Sequence, residues 1–468
     1  MIIHVYLQSD DLVWVLLRTD NSGMSKKGWG AMHKLSRRCF IHASAGVGLL
    51  TQFPAILHGA ESAKNIKLGL IGCGWYGLVD VEAAFKVGGV EVVALCDVDS
   101  DHLQSASSRV EKLQGWKPQC FKAYDDLLGV EGMDAVIIAT PPQWHALQLI
   151  DAVARKLDVY CEKPLAYDIR ECSAMAESVR KSGRIVQVGF QRRQCPAFQA
   201  VRDYLRGGKA GRIVCAEATI NFSAGIKDSM PQEPPASLDW NLWCGPSPLI
   251  PYSPQVGHKN WRLEQTTGHG HLVDWGIHLI DAARVILDEG MPQSVSACGG
   301  LYGLKGKITT PDVLTAHFDF ASCPLTWRHR LWGATEFVPE ASNGIFFFGE
   351  KETVFVTDDR WIVIPKGNNA ERQVNKTAID AGKFHMADFL NAVRSREQPG
   401  CPIAEGMLST VAVKLAMIAY ETGCKVVWDA DNEAVVDNHA ATALLKRAYR
   451  SPWAHPHREG MFRKGWLK

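Results

Sequence analysis

Short apolar runs alternate with helix-length segments over residues 65–164. Four of the runs predict buried strands: IKLGLIG, VEVVALCD, DAVIIAT and LDVYCEKP. The segments between them predict helices: YGLVDVEAAFKV, a stretch around Leu103–Leu113, and a stretch after Pro142. Strands that alternate with helices along a chain predict a parallel sheet covered by helices on both faces.

A glycine pattern lies between the first predicted strand and the first predicted helix. Gly72, Gly74 and Gly77 form GxGxxG, in which the first glycine permits a tight turn and the second lets the backbone approach a pyrophosphate. The third allows close contact between helix and strand, and the helix N-terminus favours the phosphate charge. The pattern predicts a dinucleotide-binding turn; the alternative is a glycine turn with no nucleotide.

Asp97 ends the second predicted strand, twenty residues after Gly77. An acidic side chain at this position bonds the ribose 2′-hydroxyl of NAD. Its negative charge would repel the 2′-phosphate of NADP, and no arginine follows at once. The sequence therefore predicts NAD, with NADP less favoured.

Two further motifs follow the next predicted strands. Thr140 and Pro141 end DAVIIAT, His145 starts the helix behind them, and Lys163 follows the strand that ends in CEKP. All of these positions belong to the carboxyl edge of the sheet, where ligands bind in such folds. A capping or surface role for His145 stays open, and a single lysine is usually a solvated surface residue.

The segment HLVDWGIHLIDAAR predicts a helix in the second half of the chain. Asp274 and His278 are four residues apart and share one face, which Asp281 extends. An Asp–His pair on an otherwise apolar helix costs free energy unless its polar atoms are satisfied. The pair either stabilises packing through a helix-internal hydrogen bond or takes part in catalysis.

Composition excludes several classes of protein and leaves the enzyme prediction in place. The chain has 468 residues, 46% of them hydrophobic, and a net charge of +1, so two or three domains are expected and no nucleic-acid partner. Thirteen cysteines without a C-x-x-C pair predict buried thiols, with one or two disulfides left open. The histidines of GHGH, together with His278, lack a matched ligand set, so no metal is predicted.

The segment LSRRCFIHASAGVGLL has two adjacent arginines before a small-residue apolar run. This order is typical of a secretory signal, and Ser36–Ile41 resembles the twin-arginine signal that the bacterial Tat export machinery recognises. We therefore expect an exported, periplasmic protein. An uncleaved, membrane-tethered form is the alternative, because no good cleavage site follows. Translation from Met32 or Met24 would bring the arginine pair to the usual distance from the start.

The ordered set of GxGxxG, the strand-end Asp97, TPxxxH and EKP resembles the Gfo/Idh/MocA family of oxidoreductases. VGFQRR (188–193) resembles the strand that joins the two domains of that family, and TTGHGHLVDWGIHLIDAARVIL resembles its substrate helix. The segments SLDWNLWCGPSP and RAYRSPW resemble a bacterial exported subgroup. The resemblance covers roughly residues 65–453. It implies an α/β protein: a Rossmann dinucleotide-binding domain and a C-terminal α/β domain with a large, mostly antiparallel sheet.

The resemblance also implies how the chain is divided. We expect an extension with a Tat-type signal at 1–63, a Rossmann NAD-binding domain at 64–190, a substrate-binding domain at 191–430 and a tail at 431–468. A large sheet often serves subunit contacts, so a homo-oligomer is expected. The expected strands of this sheet are Arg212–Asn221, Ser294–Tyr302, Asp312–Phe320, Leu325–Trp332 and Glu352–Val356.

Lys163, Asp274 and His278 match the catalytic lysine, aspartate and histidine of the family. We expect His278 to exchange the hydroxyl proton, Lys163 to stabilise the alkoxide-like charge and Asp274 to orient the substrate; which of Lys163 and His278 takes the proton stays open. The expected cofactor site comprises Gly72, Gly74, Trp75, Tyr76, Gly77, Asp97, Thr140, Pro141, His145, Glu162, Lys163 and Gln191. The expected substrate site comprises Arg192, Tyr252, Asn260, Trp261, Arg262, Asp274 and His278.

The resemblance implies an NAD-dependent oxidoreductase that acts on a CH–OH group of a sugar, polyol or glycoside. If the protein is exported, it should hold its cofactor tightly, because free NAD is scarce outside the cytoplasm. The first alternative is a redox-neutral glycosidase or lyase that recycles its NAD through a 3-keto sugar. The second is a non-catalytic sugar-binding protein that keeps a Rossmann core.

Overall fold

The computed structural model describes residues 2–7, 13–18, 33–35, 64–333, 341–367 and 370–458. The chain divides into two compact units, residues 1–63 and 64–468. The first unit contains a three-stranded antiparallel sheet of β1 (Ile2–Leu7), β2 (Val13–Arg18) and β3 (His33–Leu35). The predicted twin-arginine signal, which begins at Ser36, lies outside the described residues.

The first half of the second unit is a six-stranded parallel sheet flanked by helices. The strand order is β6-β5-β4-β7-β8-β9, as expected for a Rossmann-type sheet. Its strands are β4 (Ile66–Ile71), β5 (Val90–Cys96), β6 (Gln119–Phe121), β7 (Ala135–Ile138), β8 (Asp158–Cys161) and β9 (Val186–Val188). Its helices are α1 (Trp75–Val87), α2 (Ser100–Gln114), α3 (Tyr124–Leu128), α4 (His145–Ala154) and α5 (Ile169–Ser182). The predicted alternation of strands and helices is confirmed.

Local side chains define where two of these helices begin. The Asp99 carboxylate caps α2 by accepting hydrogen bonds from the backbone N–H groups of Asp101 and His102. Asp168 and Glu171 form a reciprocal capping box at the start of α5. Each such cap satisfies N–H groups that have no partner within the helix and contributes about 1 kcal/mol.

The second half is a ten-stranded sheet with the order β17-β16-β15-β14-β10-β13-β12-β11-β18-β19. All neighbours are antiparallel except β10 and β13, which run parallel, so the predicted large, mostly antiparallel sheet is confirmed. The strands are β10 (Ile213–Asn221), β11 (Ser294–Gly300), β12 (Val313–Asp319), β13 (Pro324–Arg330), β14 (Asn343–Gly349), β15 (Glu352–Thr357), β16 (Arg360–Pro365), β17 (Gln373–Lys376), β18 (Val426–Asp429) and β19 (Ala434–Val435).

Six further helices accompany this sheet: α6 (Pro196–Arg206), α7 (Trp240–Cys244), α8 (Ile277–Leu287), α9 (Ala381–Ser395), α10 (Ile403–Thr422) and α11 (His439–Ala443). Among the described residues, α10 alone is long and apolar enough to cross a membrane. In this fold 78% of its apolar window is buried inside the protein, as in the core helix of a globular domain.

Helix α9 returns from the second half of the chain to the Rossmann sheet. Its Met386, Phe389 and Leu390 are buried in one hydrophobic cluster with Leu68 and Leu70 of β4. The Rossmann core is therefore completed by residues far from it in sequence.

The structure corrects two expectations about the chain. Within the predicted tail at 431–468, residues 431–458 contain β19 and α11, and Arg447 forms a buried ion pair of 2.9 Å with Glu171. VGFQRR is not one strand: β9 ends at Val188, and Gln191–Gln194 form a 3₁₀ turn. The twelve cysteines among the described residues are all free thiols, eight of them buried.

Candidate active site

The GxGxxG turn connects β4 to α1 and has room for a ligand on one side. Gly72 has φ +94°, and a Cβ atom there would lie 2.7 Å from the Ala139 carbonyl carbon. A Cβ at Gly77 would lie 2.1 Å from the Gly72 oxygen, whereas one at Gly74 would meet no protein atom within 4 Å. The turn is thus packed tightly against the sheet at Gly72 and Gly77, and it is open at Gly74, where a pyrophosphate can approach.

A cavity of about 430 Å³ adjoins this turn. Asp97 lines it, and its carboxylate accepts hydrogen bonds from the N–H groups of Cys73 (2.7 Å) and Asp99 (2.9 Å). A carboxylate has further acceptor positions, so ribose hydroxyls can also bind it. The predicted residues that line the cavity are Gly72, Gly74, Trp75, Tyr76, Asp97, Thr140, Pro141, Trp261 and Arg262. The sequence prediction missed the lining residues His102, Trp144, Gln148, Trp243, His258, Lys259 and Trp453.

His145, which was expected at the cofactor, is buried beside the cavity. Its Nε2 lies 2.7 Å from the Thr140 carbonyl oxygen and its Nδ1 lies 2.9 Å from the Pro164 carbonyl oxygen. Since both carbonyls belong to loops at the carboxyl edge of the sheet, His145 connects the loop after β7 to the loop that carries Lys163. It is a positioning residue.

Lys163 reaches across from the Rossmann sheet to Asp274 in the second half of the chain. Its Nζ donates hydrogen bonds to the Asp274 carboxylate (2.8 Å) and to the Asp274 backbone carbonyl (2.9 Å). Arg262 Nε donates to the same carboxylate at 3.0 Å. Although burial alone would raise it, the charges of Lys163 and Arg262 hold the pKa of Asp274 well below its usual range. Asp274 is therefore ionised, with a cation on two sides.

The helix that carries His278 does not begin as a regular α-helix. Leu272–Gly276 form a π-helical turn, and α8 follows at Ile277. Single π turns within helices are rare and frequently occur at functional sites. The predicted regular α-helical spacing between Asp274 and His278 is thus wrong, since one wider turn lies between them.

His278 is held in its neutral form. Burial, together with the charges of Lys163 and Arg192, keeps its pKa well below the ordinary value. Its Nδ1 is buried and has no hydrogen-bond partner among the described residues. A neutral imidazole has the protonation state that a proton acceptor for a hydroxyl group requires.

Glu162 and Gln191 are hydrogen-bonded to each other next to Lys163. They do not line the 430 Å³ cavity, and neither do Gly77, Lys163, Asp274 and His278. Gln191 Nε2 donates to Glu162 (2.8 Å) and to the Tyr160 hydroxyl (3.1 Å). Burial raises the pKa of Glu162 to about 7, against the opposing charge of Lys163. Any side chain at Gly189 would collide with this carboxylate, because its Cβ would lie 2.2 Å from Glu162 Oε1.

Models of known protein families match most of the second unit of the chain. The NAD-binding Rossmann-fold domain of the GFO_IDH_MocA oxidoreductase family matches residues 66–190. Two C-terminal domains of the same family match residues 198–354 and 364–455. The chain belongs to the Gfo/Idh/MocA family of oxidoreductases. Family membership confirms the predicted fold, the predicted NAD cofactor and the predicted enzyme class.

Individual relatives agree with the family assignment. An inositol 2-dehydrogenase from Acidothermus cellulolyticus is 29% identical over 42% of this chain and 58% of its own length. Glycosyl hydrolase family 109 protein 1 from a Shewanella species is 27% identical over 40% of this chain and 46% of its own length. Levoglucosan dehydrogenase, solved with NADH and levoglucosan, shares the fold with a TM-score of 0.62 at 18% identity, covering 80% of this chain and all of that one. The chain is an NAD-binding oxidoreductase of the type that includes sugar and polyol dehydrogenases.

Several of the predicted substrate residues of this Gfo/Idh/MocA chain are engaged elsewhere. Arg192 forms a two-point ion pair with Asp358 (2.6 and 2.7 Å). Asn260 donates to the Gly225 carbonyl at 2.7 Å, and Tyr252 packs edge-on against a tryptophan at a ring distance of 5.1 Å. The three side chains thus serve the protein's own packing, whereas Arg262 contacts Asp274 and remains part of the site.

Two other titratable residues on or near the substrate helix are held by charged partners, and a third is buried. Asp281, which was expected to extend the Asp274 face, is fully buried in a two-point ion pair with Arg193 (2.6 and 2.9 Å). In GHGH, His269 Nε2 lies 2.6 Å from the Glu421 carboxylate. Burial lowers the pKa of His271 to about 3. The contacts of Asp281 and His269 thus connect this part of the chain to Arg193 and to Glu421.

Proposed function

We propose that this protein oxidises a CH–OH group of a sugar, polyol or glycoside, with Lys163, Asp274 and His278 acting on the hydroxyl group. The observation that carries the proposal is the 2.8 Å ion pair between Lys163 and Asp274, which come from the two halves of the fold. The pair is nearly buried, with side-chain exposures of 11% and 12%. A buried ion pair costs desolvation energy. Because this pair lies at the edge of the sheet where ligands bind, a role in ligand binding or catalysis explains why it is buried there.

The three side chains have different tasks in this proposal. His278 is neutral and takes the proton of the substrate hydroxyl. Lys163 donates a hydrogen bond to the same oxygen and stabilises the negative charge that develops there. Asp274, held by Lys163 and Arg262, keeps the lysine charged and directed at the substrate. NAD, when bound, accepts the hydride.

A redox-neutral reaction is the second candidate, and the family 109 glycosyl hydrolase relative favours it. Oxidation of a sugar to its 3-keto form acidifies a neighbouring C–H bond, which permits cleavage of a C–O bond before the ketone is reduced again. The residues required for the first proton transfer are the same in both candidates.

A panel of free sugars, polyols and glycosides separates the two candidates. We expect at least one compound to be consumed by the purified protein, and the Lys163–Asp274 pair supports this expectation. A lasting rise in nicotinamide absorbance would favour net oxidation, and product release without such a rise would favour the redox-neutral reaction. If no compound on a broad panel reacts and the denatured protein yields no nicotinamide, the oxidoreductase proposal is wrong.

We also propose that the protein is exported by the Tat route and holds its NAD through many cycles. The support is the sequence from Ser36 to Ile41, with its arginine pair. The double substitution Arg37→Lys with Arg38→Lys should retain the protein in the cytoplasm, because the export machinery recognises the two arginines. Cell fractionation measures this, with Lys34→Arg as the matched control, because Lys34 follows both Met24 and Met32. Unchanged export of the double variant would contradict the proposal.

A further inference from the structure

One cluster of side chains lies at the rim of the cofactor cavity and takes no part in the chemistry described above. It consists of Asp99, His102 and His258, each with one nitrogen or oxygen atom within 4.8 Å of the other two. Asp99 and His102 belong to the start of α2 in the Rossmann half. His258 belongs to the segment 250–263 of the second half, which covers part of the cavity.

The Asp99 carboxylate of this cluster already accepts hydrogen bonds, and the side chain with unused donor atoms is that of His102. One oxygen of Asp99 caps α2, and the other lies 2.9 Å from His258 Nε2. The two imidazole rings lie 4.2 Å apart between centroids and are tilted by 44°. The His102 side chain has no hydrogen-bond partner among the described residues. Two imidazoles and a carboxylate are the ligand types that zinc and related divalent ions prefer.

A second cluster, Asp168, Glu171 and His455, has two carboxylates and one histidine, and more hydrogen-bond donors surround its carboxylates. Its carboxylate oxygens already accept hydrogen bonds from backbone N–H groups, from the Arg447 guanidinium and from the Tyr449 hydroxyl. A metal ion would have to displace these donors, so this cluster holds the C-terminal segment in place and serves as an internal comparison.

The first cluster lies at the cavity that we assign to the cofactor. His102 and His258 both line the 430 Å³ cavity, next to the Asp97 end. Lys259, Trp261 and Arg262 follow directly along the chain and line the same cavity. An ion bound between α2 and His258 would therefore fix the covering segment to the Rossmann half.

We propose that Asp99, His102 and His258 bind a divalent transition-metal ion such as Zn²⁺, and that the bound ion slows the release of NAD by holding segment 250–263 over the cavity. Three protein ligands leave one position of a tetrahedral site for water. The metal site is independent of the catalytic proposal; only its effect on cofactor release rests on NAD occupying the cavity.

The first test is a Zn²⁺ titration of the chelator-treated protein by calorimetry. We expect one ion per chain, with affinity lowered by about 10- to 100-fold or more in His102→Gln and in His258→Gln. His455→Gln, in the second cluster, should bind Zn²⁺ as the wild type does. Absence of binding, or a loss of binding in His455→Gln alone, would overturn the site. This readout requires no turnover, so it stands even if the catalytic proposal fails.

The second test measures the release of bound NADH by fluorescence, with and without Zn²⁺. Since coupling between two ligands is reciprocal, Zn²⁺ should strengthen NADH binding by the same factor by which NADH strengthens Zn²⁺ binding. We expect about a tenfold slower release with Zn²⁺ in the wild type and no change in His258→Gln. Equal release rates with and without Zn²⁺ in the wild type would overturn the role of the ion in retaining the cofactor.

Discussion

Replacement of Lys163 by alanine should lower kcat by about 10³- to 10⁴-fold while NAD stays bound. Two contributions disappear together: the hydrogen bond to the developing alkoxide and the cation that holds Asp274 at 2.8 Å. The fold should survive, because Arg262 still donates to the Asp274 carboxylate at 3.0 Å. Steady-state kinetics on the substrate found in the panel, with the nicotinamide content of the denatured variant, measure both expectations.

Lys181→Ala is the matched control for this variant, because Lys181 is an exposed lysine whose ion pair with Glu177 lies on the surface of α5. It should retain wild-type turnover. His278→Ala should lose activity to a similar extent, also with NAD retained. Activity of Lys163→Ala within a few-fold of the wild type would remove Lys163 from the reaction, and the proton-transfer proposal with it.

The free energy of unfolding should fall by about 6 kcal/mol between pH 7.5 and pH 5, through three buried histidines alone. Burial lowers the pKa of His271 to about 3, and the pKa values of His329 and His385 to about 4. The unfolded chain, with ordinary histidines near 6.5, binds more protons below that pH. Stability is therefore present above pH 6.5 and is lost as the pH falls towards 4, by about 2 kcal/mol for each histidine at pH 5.

Denaturant midpoints across this pH range measure the effect. His385 Nε2 lies 3.0 Å from the Val188 carbonyl oxygen, and glutamine can donate a similar hydrogen bond without titrating. The variant His385→Gln should therefore lose about 2 kcal/mol less than the wild type on acidification. The control His317→Gln replaces an exposed histidine, and this variant should lose as much free energy of unfolding on acidification as the wild type. A wild-type stability that is constant down to pH 5 would contradict the prediction.

Much of the Rossmann half was predictable because its main elements have local signals, whereas β6, α3 and α5 were not predicted. Apolar runs mark β4, β5, β7 and β8, and Gly72, Gly74 and Gly77 mark the turn. The large sheet was predicted to be mostly antiparallel, but β16, β17, β18 and β19 were not predicted, and neither was β14 (Asn343–Gly349). Its pairing partners, β10 and β15, determine where it lies, and pairing between strands distant in sequence leaves no periodic signal in one strand.

Site residues were predictable where a motif in the sequence marked them. They were not predictable where their contacts depend only on a partner that is distant in sequence. Lys163 and Asp274 were expected from the family resemblance, and the structure brings them to 2.8 Å. The ion pair of Arg192 with Asp358 was not predicted, because Asp358 lies far along the chain and no pattern near Arg192 indicates it. His102 and His258 were missed for the same reason.

The return of α9 to the Rossmann sheet also affects how the protein can be made. Domains usually fold in order as the chain leaves the ribosome. Here Leu68 and Leu70 can be buried only after Phe389 and its neighbours have been translated, which happens long after the strands that they cover. A nascent chain that has reached only residue 190 exposes an apolar face of its sheet, which is a surface that chaperones hold. Completion of the Rossmann core is therefore a late event in biogenesis, and a fragment cut at the family's domain boundary would lack part of that core.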